Sequence, residues 1–245
     1  MPRRNASPPT KGEETRAMIL RRALAMMSRV GLHGLSIGEV AKAAGLSKSG
    51  LFAHFDSKED LQLQVLQTAV DRFIGKVVMP ALRETRGEPR VRALFENWLH
   101  WFEARSLPGG CPFIGAAAEL DDRPGPLRDF LVSNQKDALS AMVTASRIAV
   151  QEGHFRDALD VEQFAHDVYS ILLAYHHFSR LLEDPHAADR ARRAFEELLD
   201  RARPAELPGN PGSSAGDGRA PSIGSPQGGS RPLAPDRFGP DRSES

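Results

Sequence analysis

The feature that most constrains the fold is a run of twenty residues, 36–55, in which two helix starts flank a glycine. Ser36 followed by Glu39 is a capping box, a pattern that starts a helix because each side chain bonds a backbone N–H of the first turn. Gly45 ends that helix, since glycine adopts the positive φ of the C′ position without steric cost, and Ser47 can cap a second, short helix. Between the caps, apolar residues recur at helical spacing: Ile37, Val40, Ala41 and Ala44. We therefore predict two short helices joined by a tight turn.

The second of these helices begins with small polar residues. Its predicted exposed positions are Lys48, Ser49, Ala53 and His54, and its inward positions, or those toward a sugar-phosphate edge, are Leu51, Phe52 and Phe55. Short side chains let a helix backbone approach the major groove of DNA, where hydroxyls and a lysine reach base edges and phosphates. The pattern therefore predicts the recognition helix of a helix-turn-helix.

A third helix start follows at Ser57, and Lys58 falls in its first turn. The free N–H groups of a helix amino terminus favour a phosphate, so we expect a contact between Lys58 and the DNA backbone. Three alternatives stay open: a helical hairpin of unrelated function, a merely solvated role for Lys48 and Ser49, and a packing role for His54.

The formal net charge of zero conceals an asymmetry along the chain. Residues 1–75 contain eleven Lys or Arg and seven Asp or Glu, so the remainder carries the balancing negative charge. A basic front segment agrees with a nucleic acid partner.

The stretch resembles the signature of the TetR family of transcriptional regulators: an alanine-glycine turn, a serine-capped short helix with an aromatic-x-histidine-aromatic end, and a serine-lysine-glutamate start. The matching segments are Ala44–Lys48, Leu51–Phe55 and Ser57–Glu59. The resemblance is close over about residues 13–70 and beyond them is one of helix pattern and order. It implies a DNA-contacting set: Ser36 from the supporting helix, Lys48, Ser49 and Gly50 at base edges next to the cap Ser47, and Phe52, His54 and Lys58 along phosphates. The family usually has tyrosine at the position of Phe52, so here only a ring contact remains.

Helical periodicity and Gly/Pro breaks predict an all-α chain of about nine helices. We divide it into a flexible basic arm (1–11), a three-helix DNA-binding domain (12–60), a ligand-binding and dimerisation domain (61–203) and a disordered tail (204–245), whose Pro, Gly and Ser content offers nothing to bury. Arg3, Arg4 and Lys11 belong to the arm, which either enters a minor groove or only solubilises the chain.

Two helix faces are predicted from apolar spacing. The first helix, residues 13–30, places these on one face: Ile19, Ala23, Met26 and Val30, with Leu20, Leu24 and Met27 beside them. The penultimate helix carries a seam of alternating three- and four-residue spacing: Val161, Phe164, Val168, Ile171, Tyr175, Phe178 and Leu182. The last helix repeats the spacing at Ala188, Ala191, Phe195 and Leu198, so we expect this pair to pack antiparallel and to form the interface of a homodimer.

The larger domain contains a helix that is apolar almost all round, residues 94–102. Such a helix is either core or, as the resemblance implies, partly the wall of a pocket for a small apolar or aromatic effector. The candidate ligand-binding residues are Trp98, Trp101, Phe102, Cys111, Phe113 and Asn134, with Gln135 beside the last.

Cys111 precedes Pro112 and is predicted to be the N-cap of a helix, where the dipole lowers a thiol pKa. It is either a redox or electrophile sensor or a small buried apolar residue. His166, His176 and His177 share a helix, but their spacing brings no third ligand to one face, so we expect no metal site.

Several classes are excluded by what the sequence lacks. No apolar run approaches the roughly 20 residues of a membrane span, and residues 1–11 lack the apolar core of a signal peptide, so we expect a cytoplasmic protein. One cysteine excludes a disulfide framework. No glycine-rich phosphate loop or nucleophile elbow occurs, and we expect neither catalysis nor a cofactor.

The function that these features predict is that of a dimeric transcriptional repressor, which binds a palindromic double-stranded operator and is released from it by a small-molecule effector. The alternatives are an architectural DNA-binding protein without an effector and a helical ligand-binding protein whose front hairpin contacts other proteins.

Overall fold

Nine helices and no strand make up the part of the chain that the computed structural model describes, residues 10–104 and 106–205. They are α1 (Lys11–Val30), α2 (Ile37–Ala44), α3 (Lys48–Phe52), α4 (Lys58–Phe73), α5 (Glu88–Phe102), α6 (Pro112–Leu120), α7 (Pro126–Gln151), α8 (Val161–Arg180) and α9 (Ala187–Ala202). Without a break, α4 continues into a π-helical turn (Ile74–Val78) and a last α-helical turn (Met79–Ala81), and we count the three as one helix. The all-α prediction is confirmed.

The first helix begins earlier than its apolar spacing predicts. Thr10 is its N-cap, and a complete capping box joins Thr10 to Glu13: the Thr10 hydroxyl accepts from the Glu13 N–H at 3.3 Å, and the Glu13 carboxylate accepts from the Thr10 N–H at 2.7 Å. Lys11 is therefore the first helical residue, and its assignment to the arm is wrong. Arg3 and Arg4 lie outside the described residues.

The core of the amino-terminal part forms where α1 packs against α2 and α4, and where α2 packs against α3. α1 buries Ile19, Ala23, Leu24 and Met27 there. Two residues of the predicted face differ: Met26 is only half-buried, and Val30, in the last turn, is 53% exposed. The buried face therefore fades before the helix ends, since the chain turns away at Gly31.

Helix α5 is the centre of the larger part. It packs against α7, α8 and the π-helical turn, and it buries seven side chains: Val91, Leu94, Phe95, Trp98, Leu99, Trp101 and Phe102. The Phe95 ring stacks on Phe195 of α9 with 3.9 Å between centroids. The interpretation of this helix as core is thus correct for most of its surface.

Helices α8 and α9 pack against each other, but the predicted seam divides into two parts. Its first residues and Tyr175 are buried within the chain: Val161, Phe164, Val168 and Tyr175. Phe178 and Leu182 are 43% and 54% exposed, and Phe178 lies at an open groove between α8 and α9. An apolar surface remains there.

Three further observations bear on the predicted organisation. The predicted boundary between the DNA-binding domain and the larger domain, at residue 60, falls inside α4, and this division of the chain stays a prediction. Of the predicted tail, only Pro204 and Ala205 belong to the described residues. Within the described ranges, no helix is long and apolar enough to cross a membrane.

Candidate nucleic-acid interface and ligand cavity

The turn between α2 and α3 has the geometry that the sequence predicts. The Ser36 hydroxyl accepts from the Glu39 N–H at 3.1 Å and so begins α2, but the Glu39 side chain does not return a bond to the Ser36 N–H, so only half of the predicted capping box is present. Gly45 ends that helix at φ 73° and ψ 30°, in the left-handed region. The Ser47 hydroxyl accepts from the Gly50 N–H at 3.0 Å and begins α3. The helix-turn-helix is therefore confirmed.

Burial of two side chains determines which face of α3 points outward. Leu51 and Phe55 are fully buried against the core of the amino-terminal part. The opposite face presents Lys48 and Ser49, both exposed, next to Phe52, whose side chain is 48% exposed. This face can therefore enter a DNA groove without unfolding.

The remaining predicted DNA contacts are placed less simply. Ser36 and Ser47 are exposed, but their hydroxyls already cap helices. Gly50 and His54 are half-buried, and the His54 ring lies 6.4 Å from that of Phe55, so His54 packs as well as facing outward. Their contacts with DNA stay predictions.

Lys58 is exposed in the first turn of α4, after the N-cap Ser57. Its ammonium donates to the His33 carbonyl at 3.2 Å. A phosphate at this helix end would therefore share or replace that hydrogen bond.

Sequence reasoning missed one residue that shapes this surface. Gly38 of α2 lies beside the side chain of Lys48, and a Cβ placed on Gly38 would stand 3.3 Å from Lys48 Cε. The glycine leaves room for the lysine stem to lie across α2. Gly38 could not be predicted from sequence, because a glycine inside a helix carries no local sign of a tertiary contact.

A cavity of about 380 Å³ lies in the larger part, between the end of α4 with its π-helical extension, α5, α6, α7 and Tyr169 of α8. Five of the six predicted ligand-binding residues line it: Trp98, Phe102, Cys111, Phe113 and Asn134. Trp101 does not line the cavity, and its contact with a ligand stays a prediction. Its indole N–H instead donates to Cys111 Sγ at 3.4 Å, so Trp101 is a buried support for the wall.

One wall of the cavity was not predicted at all. The helix that runs from α4 through the π-helical turn contributes Val70, Phe73, Ile74, Val78, Met79 and Leu82. Aromatic Phe73 could have been suspected from its type. The π-helical turn, which brings Ile74 and Val78 to the same wall, has no recognised sequence sign.

The polar groups of the cavity lie on α7 and α8. The Tyr169 hydroxyl donates to Gln135 Oε1 at 2.8 Å, and Asn134 Nδ2 donates to the Phe130 carbonyl of its own helix at 2.8 Å. Burial raises the pKa of Tyr169 above its ordinary value, so its hydroxyl stays protonated. Apart from the carboxylate of Asp137, the cavity thus offers neutral hydrogen-bonding groups.

Cys111 is the N-cap of α6, as predicted, but its thiol pKa moves in the opposite direction from our expectation. Burial raises the pKa of Cys111, and this effect outweighs the hydrogen bonds from Trp101 and the helix amino terminus, which lower it. A buried, protonated thiol is a poor nucleophile. The structure favours Cys111 as a packing residue.

The histidines of α8 are spread over different surroundings. His176 Nε2 accepts from the Cys111 N–H at 3.4 Å, and burial lowers the pKa of His176. His166 is exposed beside Asp167. In the described part of the chain no three His, Cys, Asp or Glu side chains are grouped so as to hold a metal ion.

Helix α6 connects the cavity with the end of α1. Cys111, Phe113 and Ile114 at its start line the cavity. Near its end, the Glu119 carboxylate accepts from the Leu32 and His33 N–H groups at 3.0 and 2.7 Å. Just before the helix, the Gly109 N–H donates to Ser28 Oγ at 3.1 Å.

Two family models match the chain. The model described as bacterial regulatory proteins, tetR family, matches residues 19–65, and the model described as tetracyclin repressor-like, C-terminal domain, matches residues 87–195. Together they include both the helix-turn-helix and most of the larger part.

Curated relatives carry the names of regulators. The transcriptional activator FasR of Mycolicibacterium smegmatis is 34% identical over 91 residues, which are 37% of this chain and 42% of FasR. The transcriptional regulator RutR of Escherichia coli is 36% identical over 143 residues, 54% of this chain and 66% of RutR. The chain thus spans less than half of FasR and about two thirds of RutR.

Solved structures share the fold over most of the described residues. A TetR transcriptional regulator from Chloroflexus aurantiacus has a TM-score of 0.70 at 25% identity, covering 78% of this chain and 94% of its own. AibR in complex with isovaleryl coenzyme A and operator DNA has a TM-score of 0.62 at 21% identity, covering 77% of this chain and 99% of its own.

Proposed function

Since the chain belongs to the TetR family of bacterial transcriptional regulators, we propose that it is a repressor that leaves a palindromic operator when a small molecule fills its cavity. The observation that carries this proposal is the pairing of an outward polar face on α3 with an apolar cavity, which α4 and the short helix α6 both connect to the amino-terminal part. In this proposal the protein binds DNA and effector without catalysing a reaction, and it does so in the cytoplasm.

The DNA-binding half of the proposal rests on α3. Lys48 and Ser49 are exposed at its start, and Phe52 extends the same surface. We propose that Lys48, Ser49 and Gly50 meet base edges and that Phe52, His54 and Lys58 meet phosphates, with Ser36 and Ser47 holding the helix ends.

A palindromic site requires two copies of α3. The exposed end of the α8 seam, with Phe178 and Leu182, supplies an apolar surface that a second copy can cover. Symmetric helix-turn-helix dimers read half-sites about 34 Å apart, or multiples of that distance, so the dimer interface sets the spacing of the two recognition helices.

The regulatory half of the proposal rests on α6. Its first turn lines the cavity, while Glu119 holds the backbone of the α1–α2 connection. The contact before α6 is also tight, because a Cβ on Gly109 would stand 1.5 Å from the Ser28 carbonyl oxygen. A ligand that binds better to a shifted position of α6 would therefore move the helix-turn-helix, and its differential affinity for the two positions lowers the affinity for DNA.

Selection of bound sequences from random double-stranded DNA tests the proposal. We expect an enriched palindrome whose half-sites are separated by about one helical turn or a multiple of it. Binding without any preferred sequence would instead support an architectural protein. No DNA binding at low salt would support a helical ligand-binding protein.

A further inference from the structure

We propose that the cavity takes an uncharged molecule with an aromatic or fused-ring body and one hydrogen-bonding group, and that it rejects carboxylates and coenzyme A thioesters. This inference rests on the proposed effector function and names the chemical class of the effector.

The walls and size of the cavity define the body of the ligand. Aromatic rings surround it: Phe73, Trp98, Phe102, Phe113 and Tyr169. Phe73 meets Trp98 edge to face at 4.9 Å and Phe113 at 6.0 Å, so these rings hold one another in place. The volume of about 380 Å³ is near the small end of ligand sites, which span roughly 300–1,000 Å³. A body of two or three rings suits such a space.

The charge of the lining argues against anions. Among the described residues that line the cavity, none is Lys, Arg or His, and the one charged side chain is Asp137. Asp137 is exposed and so lies at the rim. A carboxylate inside the cavity would lose its hydration without gaining a counter-charge, and one at the rim would be repelled by Asp137.

The mouth of the cavity extends this argument to coenzyme A. On the side of the π-helical turn, Ile74, Met79 and Leu82 are exposed apolar residues, and Asp137 lines the cavity from α7. Three cations follow or precede these lining residues closely along the chain: Lys76, Arg83 and Lys136. All three are exposed, and none of them lines the cavity. If the acyl group of a coenzyme A thioester filled the cavity, the phosphates of the coenzyme would therefore lie beside apolar side chains and a carboxylate at the mouth.

The polar groups of the cavity match one uncharged hydrogen-bonding group on the ligand. Because Gln135 Oε1 already accepts from Tyr169, the amide N–H groups of Gln135 remain as donors. Because Asn134 Nδ2 already donates to Phe130, Asn134 Oδ1 remains as an acceptor. One hydroxyl can accept from Gln135 and donate to Asn134, whereas a carboxylate cannot donate and an ammonium cannot accept.

Three compounds with one skeleton test the inference: biphenyl-4-ylmethanol, biphenyl-4-ylmethanamine and biphenyl-4-carboxylate. Their dissociation constants are measured by isothermal titration calorimetry at pH 7 on the full chain without DNA. We expect the alcohol to bind at least about tenfold more tightly than either ion, because each ion loses hydration that the cavity does not replace. A smaller preference for the alcohol, or no binding by any of the three, would overturn the inference.

A variant of Gln135 tests the hydrogen bond. Gln135→Leu is expected to weaken binding of the alcohol about fivefold or more. Its affinity should then approach that of 4-methylbiphenyl, which lacks the hydroxyl. The matched control is Lys136→Gln, a change at the neighbouring exposed position, which should leave all affinities unchanged. Equal binding of the alcohol by Gln135→Leu and the wild type would remove Gln135 from the site. If Gln135→Leu does not fold, the three-compound series on the wild type decides alone.

Operator release separates this inference from the proposed function. Gel-shift titrations with the selected operator are run with the alcohol, the carboxylate and isovaleryl coenzyme A. Release by the carboxylate or the thioester at lower concentration than the alcohol would overturn the ligand class and leave the effector-regulated repressor intact. Tight binding of the alcohol that leaves operator affinity unchanged would support the ligand class and contradict regulation through this cavity.

Discussion

Gly45 shows how much of this fold depends on the conformation of one residue. Its φ of 73° places it where an L side chain is strained, and an added Cβ would meet no atom within 4 Å. The demand on this position is therefore one of backbone conformation and not of space. Gly115, in the middle of α6, is exposed, and an added Cβ meets nothing there either.

These two glycines give a matched pair of substitutions. Gly45→Ala should lower the free energy of unfolding by about 1–2 kcal/mol, because alanine is strained in the left-handed region. Gly115→Ala should raise it by about 0.5–1 kcal/mol, since alanine is the better helix former. Urea denaturation measures both changes. Shifts of the same sign would contradict the conformational assignment of Gly45.

Lys48 is the residue on which the predicted DNA contact depends most. Its side chain is exposed, and its stem lies beside Gly38. Lys48→Ala should weaken operator binding severalfold and, if the ammonium meets a phosphate, should reduce the slope of log affinity against log salt by about 1. Its melting temperature should change little, because no core contact is lost.

Fluorescence anisotropy over a salt series measures this effect. Lys136→Ala, which removes an exposed lysine from α7, is the control for net charge. If both variants bind the operator like the wild type, Lys48 does not belong to the interface.

At the scale of elements, α6 is, beside α4, a helix that the amino-terminal and the larger part of the chain share. It contributes to the cavity wall at its start and holds the connection after α1 through Glu119 at its end. Glu119 also meets His33 Nδ1 at 2.7 Å, and Arg123, just after α6, meets His33 Nε2 at 2.6 Å. Several polar contacts thus tie the end of this helix to one loop.

Loss of the Glu119 carboxylate should uncouple the two sites. In Glu119→Ala, the ligand affinity measured without DNA should stay within about twofold, while the factor by which ligand weakens DNA binding should shrink, a loss of about 1–2 kcal/mol of coupling. Calorimetry and gel-shift titration measure the two quantities.

The control for Glu119→Ala is Glu152→Ala, which breaks an exposed pair with Arg86 after α7. It should change neither quantity. Unaltered coupling in Glu119→Ala would show that the connection after α1 does not transmit ligand binding.

At the scale of the whole molecule, α8 and α9 carry an exposed apolar surface, which includes Phe178 and Leu182. A shallow groove there is lined by Ile171, Ala174, Tyr175 and Phe178 of α8 and by Ala187, Arg190, Ala191 and Ala194 of α9. Small alanines on α9 let a second helix approach closely. This surface supports the proposed homodimer.

A charge in this groove should separate the protomers. Phe178→Glu should shift the chain from dimer to monomer, because it would bury a carboxylate at the interface while Arg190, the cation that lines the groove, is already paired with Asp184. The variant should also weaken palindrome binding. Sedimentation velocity measures the oligomeric state. Ala118→Glu, at an exposed position of α6, adds the same charge elsewhere and should stay dimeric. A dimeric Phe178→Glu would place the interface on another surface.

The helix-turn-helix could be predicted from sequence because its signals act over four residues or fewer. A serine capping an N–H three residues on, or a glycine at a helix end, has the same consequence in any tertiary setting. The same local reasoning could have found the Thr10–Glu13 capping box and so the true start of α1.

The cavity shows where local reasoning ends. Residue type was enough to suggest that Trp98, Phe102 and Phe113 belong to an aromatic wall, but not that Trp101 lies behind Cys111 or that the π-helical extension of α4 closes one side. The rise in the Cys111 pKa likewise comes from burial, which outweighs the helix end that the sequence shows.

The sequence by itself therefore determined the order of the helices, their main boundaries and the polar face of α3, since these depend on neighbours along the chain. Only the tertiary structure decided which apolar side chains face a cavity, which face an uncovered groove and which loop Glu119 holds. Those outcomes depend on distances between residues that lie far apart in sequence, and no short-range pattern contains them.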